Sequence, residues 1–352
     1  MDVLFIAAIP PPVTGQSLAG GRLYGELCRH GNVSLINLSK AELRSGRLGI
    51  SRVRDIMSKV WQVWRQRSNG DLIYFTVSES LAGNIKDLAI YAVCFRRLRR
   101  MMIHVHGGSL RKDVFTRSRV LCVLNRFFIQ KLGAIVILGN QHRGIFDNVA
   151  RQEQIKICTN FADDEFFISE TKAREKYINK RPLRVLYLSN FIEGKGYSEL
   201  LEAYCGLSGE ERALATIDFA GAFETEGQKR AFVERISRFP ALRYHGVVGG
   251  TDKQRLLAEA HIFCLPTRLS EGQPISILEA YASGCVVVTT RKGGIPDIFE
   301  ASQNGVEVEA GSADSVRLAL RSLAAEQDLA RVGLYNWRMQ EIDFVWQRTL
   351  QE

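Results

Sequence analysis

No run of apolar residues in this 352-residue chain approaches the roughly 18 needed to cross a bilayer as a helix, which excludes a helical membrane-spanning protein. The opening stretch MDVLFIAAIPPP lacks a basic leader and a small-residue cleavage site, and prolines cut it short. It reads as a first strand rather than a secretion signal. Cysteine gives no framework either. The seven residues (Cys28, Cys94, Cys122, Cys158, Cys205, Cys264 and Cys285) are odd in number and form no C-x-x-C pair. That excludes a zinc site and a disulfide scaffold and implies a reducing compartment, the cytoplasm. The turn after the first strand, Pro10-Pro11-Pro12-Val13-Thr14-Gly15-Gln16-Ser17, is no G-x-G-x-x-G, which counts against a dehydrogenase. Acidic residues are scarce in one region only. Residues 1–150 carry 22 Lys and Arg against 9 Asp and Glu, so the overall charge of +9 resides in the first half. An anionic partner of that half is implied.

What is present is enough apolar sequence, 46%, for an ordinary soluble fold, and a length suited to two domains. Apolar, β-branched runs at 3–8, 33–38, 72–77, 101–105, 134–138 and 154–157 alternate with helical patterns, then begin again at 183–188, 216–220, 242–247, 261–265, 285–290 and 306–308. Such alternation signals βαβ units and parallel sheets. Two doubly wound α/β domains are expected, the first over 1–168 and the second over 183–335. The polar segment 169–182 would be a linker, and 336–352 a last helix carrying Trp337, Ile342, Phe344, Val345 and Trp346.

The segment from Thr267 to Asp297 is the most informative. Pro274 suits a helix start and Gly284 a left-handed helix end. Cys285 to Thr290 reads as a buried strand. Glu271 and Glu279 lie at the mouth and along the body of one short helix, whose N-terminus can hold a phosphate. Carboxylates eight residues apart lie up to about 12 Å from one another, a span that suits two ends of an extended polar ligand better than one metal ion. Glu271-Gly272-x-Pro274, Glu279-Ala280-x-Ala282-x-Gly284 and Gly293-Gly294-Ile295-Pro296-Asp297 together resemble the donor-site signature of the retaining family 4, or group 1, glycosyltransferases. The alternative for this helix is an amphipathic segment whose Glu279 merely faces water.

The resemblance implies the GT-B fold, two Rossmann-like domains facing across a cleft, with the acceptor in the first and a nucleotide-diphosphate sugar in the second. It implies retention at the anomeric carbon by same-face attack, the leaving phosphate taking the acceptor's proton, with no metal and no cofactor beyond the donor. It carries over Glu271 to the donor sugar's hydroxyls and Glu279 to the ribose. Gly272 and Gln273 would offer backbone N–H groups, with Pro274 and Ile275 opening the helix. Gly15 and Gln16 would face the diphosphate. His106, in His104-Val105-His106-Gly107-Gly108, matches the active-site histidine; His104 reads as a packing residue. Lys195, in Asn190-Phe191-Ile192-Glu193-Gly194-Lys195-Gly196, matches the lysine that neutralises the diphosphate. Asn190 departs from the pattern, standing where an arginine is usual, and makes one phosphate contact weaker. Gly221, Tyr244, His245, Gly246, Thr267 and Arg268 are weaker candidates for the nucleoside side. The family uses no Asp-x-Asp site, and Asp163 and Asp164 read as surface acids. In the family the last helix crosses back to the first domain; here its shortness leaves that open.

Arg52, Arg54, Lys59, Arg65 and Arg67 decorate a helical stripe of Val53, Ile56, Met57, Val60, Trp61 and Trp64. The stripe fits either the core or an anionic membrane, with peripheral attachment at the inner face of the cell membrane as the expected location. Arg96, Arg97, Arg99 and Arg100 add a second basic cluster. The expected partners are a nucleotide-sugar donor and a glycan or lipid-linked acceptor, in cell-surface polysaccharide assembly, and not nucleic acid, which the acid pair would repel. The competing readings are a nucleotide-sugar epimerase of the same fold and a non-catalytic nucleotide-sugar-binding relative.

Overall fold

The computed structural model describes residues 1–39, 50–178, 181–326 and 328–349. They form two compact units, one of residues 1–160 with Ser270–Gln273, the other of 161–269 with 274–352. The first holds β1 (Asp2–Ala7), β2 (Asn32–Asn37), β3 (Leu72–Thr76), β4 (Met101–His104), β5 (Ala134–Ile137) and β6 (Ile155–Ile157), with α1 (Gly15–His30), α2 (Ile50–Gln66), α3 (Leu81–Val93) and α4 (Arg119–Ile129). All its strands are parallel, in the order β2-β1-β3-β4-β5-β6. Chain direction across the sheet reverses between β1 and β3, the switch point where such folds gather ligand-binding loops. Right-handed crossovers put α1 on one face and α2, α3 and α4 side by side on the other. With both faces covered, Leu4, Phe5, Ile6, Ile73, Phe75, Ile103 and Ile135 lose nearly all contact with water.

The second unit repeats the plan with β7 (Leu183–Leu188), β8 (Ala215–Ala220), β9 (Leu242–Tyr244), β10 (Ile262–Leu265), β11 (Val286–Thr289) and β12 (Gly305–Glu307). Its helices are α5 (Glu170–Glu175), α6 (Tyr197–Cys205), α7 (Gly209–Ala213), α8 (Glu226–Ile236), α9 (Gly250–Glu259), α10 (Ile275–Ala282), α11 (Ala313–Ala325) and α12 (Leu329–Thr349). The parallel order β12-β11-β10-β7-β8-β9 sets its switch point between β7 and β10.

The strands fall where the apolar runs place them, within a residue except at β9, which stops at Tyr244 because Gly246 turns with φ +71°. Domain limits need correction. Residues 161–182 belong to the second unit. Ser169 caps α5, Ala173 and Tyr177 are buried, and the Tyr177 hydroxyl lies 2.8 Å from the Gly284 carbonyl oxygen. Polarity suggested a linker, but Ala173 and Tyr177, one turn apart, anchor this segment to the core. Asp163 and Asp164 sit at a short turn whose Phe166 is buried in the same core. The last helix starts seven residues earlier than expected, and its described side chains stay with the second unit. The Trp337 indole donates to the Ile168 carbonyl, and the Asn336 amide to those of Cys285 and Asn304. The side chains of Arg52, Ile342, Phe344, Val345 and Trp346 lie outside the described residues.

Candidate functional site

In the first unit the expected residues gather at strand ends around the switch point. Thr14 caps α1, its hydroxyl accepting from the Ser17 N–H while the Ser17 hydroxyl accepts from the Thr14 N–H. That exchange fixes the turn after β1 and leaves Gly15 exposed and Gln16 half-buried at the helix start. At the end of β4, His104 accepts a 2.6 Å hydrogen bond at Nδ1 from the Tyr74 hydroxyl. Its ring lies 4.0 Å, centroid to centroid, from that of His106. The spacing of two along a strand end explains the shared face. Both nitrogens of His106 are enclosed and have no hydrogen-bond partner among the described residues; the same holds for His104 Nε2. Burial pushes the pKa of His106 down to about 4 and that of His104 well below the usual histidine range, the neighbouring imidazole adding to the latter. Both rings are therefore neutral near neutral pH. A neutral His106 offers one N–H and one lone pair, suited to holding hydroxyls rather than to shuttling protons.

Ser270–Gln273 completes this half. Asn160 grips Gln273 twice, its backbone N–H donating to Oε1 at 3.0 Å and its amide to the carbonyl at 2.7 Å. His142 Nε2 lies 3.3 Å from the Glu271 carbonyl oxygen. Gly272 passes so close to the His106 carbonyl that a Cβ there would fall 1.9 Å from its oxygen, so no other residue fits without moving the loop. The contact encloses the His106 carbonyl and leaves its ring as the group with hydrogen-bonding capacity to spare. Gln273 Nε2 is likewise buried with no partner among the described residues. Glu271, Gly272 and Gln273 thus belong to the first unit, not to the second as expected; Asn160 and His142, far away in sequence, decide that.

Glu79, on the loop after β3, was not a candidate. Its carboxylate accepts from the Ser109 N–H at 3.2 Å and the Ser109 hydroxyl at 3.3 Å, beside the His106-Gly107-Gly108 turn. Burial raises its pKa, opposed by those hydrogen bonds. Its place at a strand end next to the switch point was the available signal.

In the second unit the loops after β7 and β10 clasp each other at the switch point. The Arg268 N–H donates to the Gly194 carbonyl at 2.6 Å. Gly196, at φ +92°, lies so close to the Pro266 carbonyl that a Cβ would fall 2.5 Å from it. These contacts hold Lys195 between two glycines at the C-terminal edge of the sheet. The Asn190 side-chain oxygen accepts from the Ala222 N–H at 3.4 Å, tying this residue to the loop after β8. Arg268 leans on Glu199, Nε to carboxylate 3.3 Å. At the ends of β8 and β9, His245 meets Asp218 at 2.6 Å and the Tyr244 hydroxyl donates to the Gly221 carbonyl at 2.8 Å.

Pro274 is the residue before α10 rather than in its first turn, with extended backbone, and Ile275 opens the helix; no side chain caps it. Gly284 ends the helix as expected, at φ +65°. Glu279 points inward from α10 and is nearly inaccessible. One carboxylate oxygen lies 2.5 Å from Lys253 Nζ on α9. The other is buried with no partner among the described residues. Burial raises the pKa of Glu279, and the Lys253 ammonium opposes that rise. Glu279 therefore does not face water, against the amphipathic alternative. Lys253 escaped notice because only tertiary packing joins α9 to α10. Among the described residues no three His, Cys, Asp or Glu side chains cluster closely enough to hold a metal ion. No described helix is long and apolar enough to cross a membrane.

Two parallel six-stranded sheets, each with loops gathered at its switch point, define a two-domain α/β architecture. Solved structures share it along the whole chain. HepE of Anabaena, in complex with UDP and glucose, superposes with a TM-score of 0.72 at 18% identity, over 100% of this chain and 99% of that one. WaaG, involved in lipopolysaccharide biosynthesis, gives 0.70 at 16% identity over 96% of this chain and 94% of that one. The fold is GT-B. Residues 182–326 match the family model described as Glycosyl transferases group 1. The amylovoran biosynthesis glycosyltransferase AmsK of Erwinia amylovora is 27% identical over 75% of this chain and 63% of its own length. The putative colanic acid biosynthesis glycosyltransferase WcaL of Escherichia coli is 28% identical over 43% of this chain and 39% of its own. The chain thus aligns with less than two-thirds of the length of these curated relatives.

Proposed function

We propose that this protein transfers a sugar from a nucleotide-diphosphate donor, a uridine diphosphate sugar, to a hydroxyl of a glycan or lipid-linked acceptor in cell-surface polysaccharide assembly. The observation that carries the reading is the second unit's switch point. There Lys195 is clasped between two loops, α10 opens with an uncapped N-terminus, and Glu279 keeps one buried oxygen without a partner. A diphosphate suits the ammonium and the N-terminal end of α10, and a ribose hydroxyl suits the carboxylate oxygen. The HepE structures with UDP and with UDP-glucose, and the polysaccharide assignments of AmsK and WcaL, support the choice of donor and acceptor.

Negative charge grows on the leaving diphosphate in the transition state, where Lys195 and the α10 N-terminus stabilise it. By resemblance to the family, Glu271 and the backbone N–H groups of Gly272 and Gln273 take the role of holding a sugar, and Gly15 and Gln16 that of facing phosphate. Neutral His106 positions the transferred sugar. The reaction retains anomeric configuration, needs neither metal nor resident cofactor, and uses the departing phosphate as base. Attachment to the inner face of the cell membrane through α2 belongs to the same reading.

A thermal-shift panel of uridine, guanosine and adenosine diphosphate sugars tests it. A uridine diphosphate sugar should raise the melting temperature, and Glu279→Ala should abolish most of that rise. No shift with any compound would refute the donor assignment, and a shift without transfer to any hydroxyl would favour a binding protein.

A further inference from the structure

Two polar side chains are buried in the first unit where hydrocarbon would pack as well. Tyr74 on β3 and His104 at the end of β4 lie on the sheet face that α1 covers. Thr76 is the sheet partner of His104, and Tyr74, two residues before Thr76, shares its face. The two belong to a column of rings. Tyr24 of α1 leans on Phe5 of β1 at 5.6 Å between centroids, and Phe5 stacks flat on Tyr74 at 4.6 Å. His104 meets Tyr74 edge to face at 5.9 Å, and His106 lies 4.0 Å beyond His104, tilted by 32°. The column thus crosses β1, β3 and β4 and ends at the turn that carries His106. Close packing around such rings leaves them little room to turn.

The hydrogen bond inside the column has a fixed direction. Burial pushes the Tyr74 phenol above the usual tyrosine range, so its hydroxyl keeps the proton and donates it to His104 Nδ1. His104 is therefore the Nε2–H tautomer. It is held twice, since its carbonyl also accepts from the Val77 N–H at 3.2 Å. Packing alone needs none of this, because an apolar pair of the same shape is nearly neutral in a core. His106 is held differently. The Gly272 contact sets its main chain, while neither ring nitrogen has a partner among the described residues. Its ring rests face to face on His104, and turning it would drive its edge into that neighbour. Orientation by stacking leaves both nitrogens of His106 free for a substrate. A hydrogen bond doing the same work would consume one of them.

We infer that Tyr74 and His104 are positioning residues: the Tyr74 hydroxyl locks His104, and the His104 ring is the shelf that orients His106. The consequence for turnover rests on the role proposed above for His106. The test pairs long-range proton–nitrogen NMR of the full chain, labelled at its six histidines, with release of UDP from UDP-glucose to water. In the wild type, His104 should show a single Nε2–H tautomer and His106 ring protons displaced upfield by the stack. Tyr74→Phe removes one oxygen and keeps the packed ring. It should mix the His104 tautomers, shift the His106 signals, and lower kcat about tenfold with the KM for UDP-glucose within about twofold. His104→Leu, which takes the shelf away, should lower kcat about a hundredfold. If His104→Leu does not fold, Tyr74→Phe decides alone. Unmoved His106 signals, full kcat in Tyr74→Phe, or a loss confined to KM would each overturn the proposal. A wild type that releases no UDP, yet whose His106 signals shift in Tyr74→Phe, would support the shelf and sink the proposed reaction.

Discussion

The two units share one plan, six parallel strands wound from a central switch point, and use it for opposite chemistry. Around the switch point of the first unit lie neutral imidazoles, an amide and glycine turns, while its far face is cationic and greasy. At the second unit's switch point, a buried ion pair stands beside a clasped lysine and an open helix end. The backbone topology therefore says where chemistry gathers but not which kind. Side chains on the strand-end loops make the difference. The family model matches residues 182–326, which apart from Ser270–Gln273 lie in the second unit.

The sharpest way to break the contrast is to remove its ion pair. Lys253→Met leaves Glu279 enclosed without its cation, and should destabilise the second unit by about 4 kcal/mol. Urea unfolding should then show the second unit melting ahead of the first; coincident, unshifted transitions would mean the pair carries little. Next in size, Gly272→Ala should cost about a hundredfold in transfer rate, because the loop must leave the His106 carbonyl by roughly an ångström. Its melting temperature should stay close to wild type, and retention of full rate would detach this loop from the reaction.

Acid sharpens the comparison. His106 and His104 have folded-state pKa values below those of the unfolded chain, so the unfolded state takes up more protons as the pH drops below about 6.5. Stability is lost in that window, for His106 down to its pKa of about 4. His106 alone should remove about 2 kcal/mol between roughly pH 7 and pH 5. The raised carboxyls work in the opposite sense, Glu79 and Asp87 partly offsetting the loss in the first unit and Glu279 favouring the second. The first unit should be the acid-labile one, and His106→Asn should flatten its pH dependence. An unchanged slope would locate the sensitivity elsewhere.

Most of the fold was legible because strands buried on both faces must be apolar runs. All twelve strands answer to such a run. Helix limits were less so. The stretch between β3 and β4 divides at Val93 into α3 and a 3-10 segment, Phe95–Arg100, whose shorter period carries no distinct apolar signal. On α2, six apolar residues formed one stripe on paper, but the helix buries only part of that arc. Glu279 was readable from its surroundings in the chain, whereas Lys253 and Glu79 acquire meaning only through partners 26 and 30 residues away. The placement of Glu271 was misread for the same reason, since its loop is fastened by Asn160 and His142.

That fastening has a practical corollary for engineering. Four residues, Ser270–Gln273, fold with a sequence block that ended more than a hundred positions earlier. A chimera spliced near residue 160, grafting the latter half of a relative onto this N-terminal half, would import a foreign tetrapeptide next to His106. Swaps of the second unit should therefore keep Ser270, Glu271, Gly272 and Gln273 from the N-terminal parent, or the loop will lose its match to Asn160, His142 and His106.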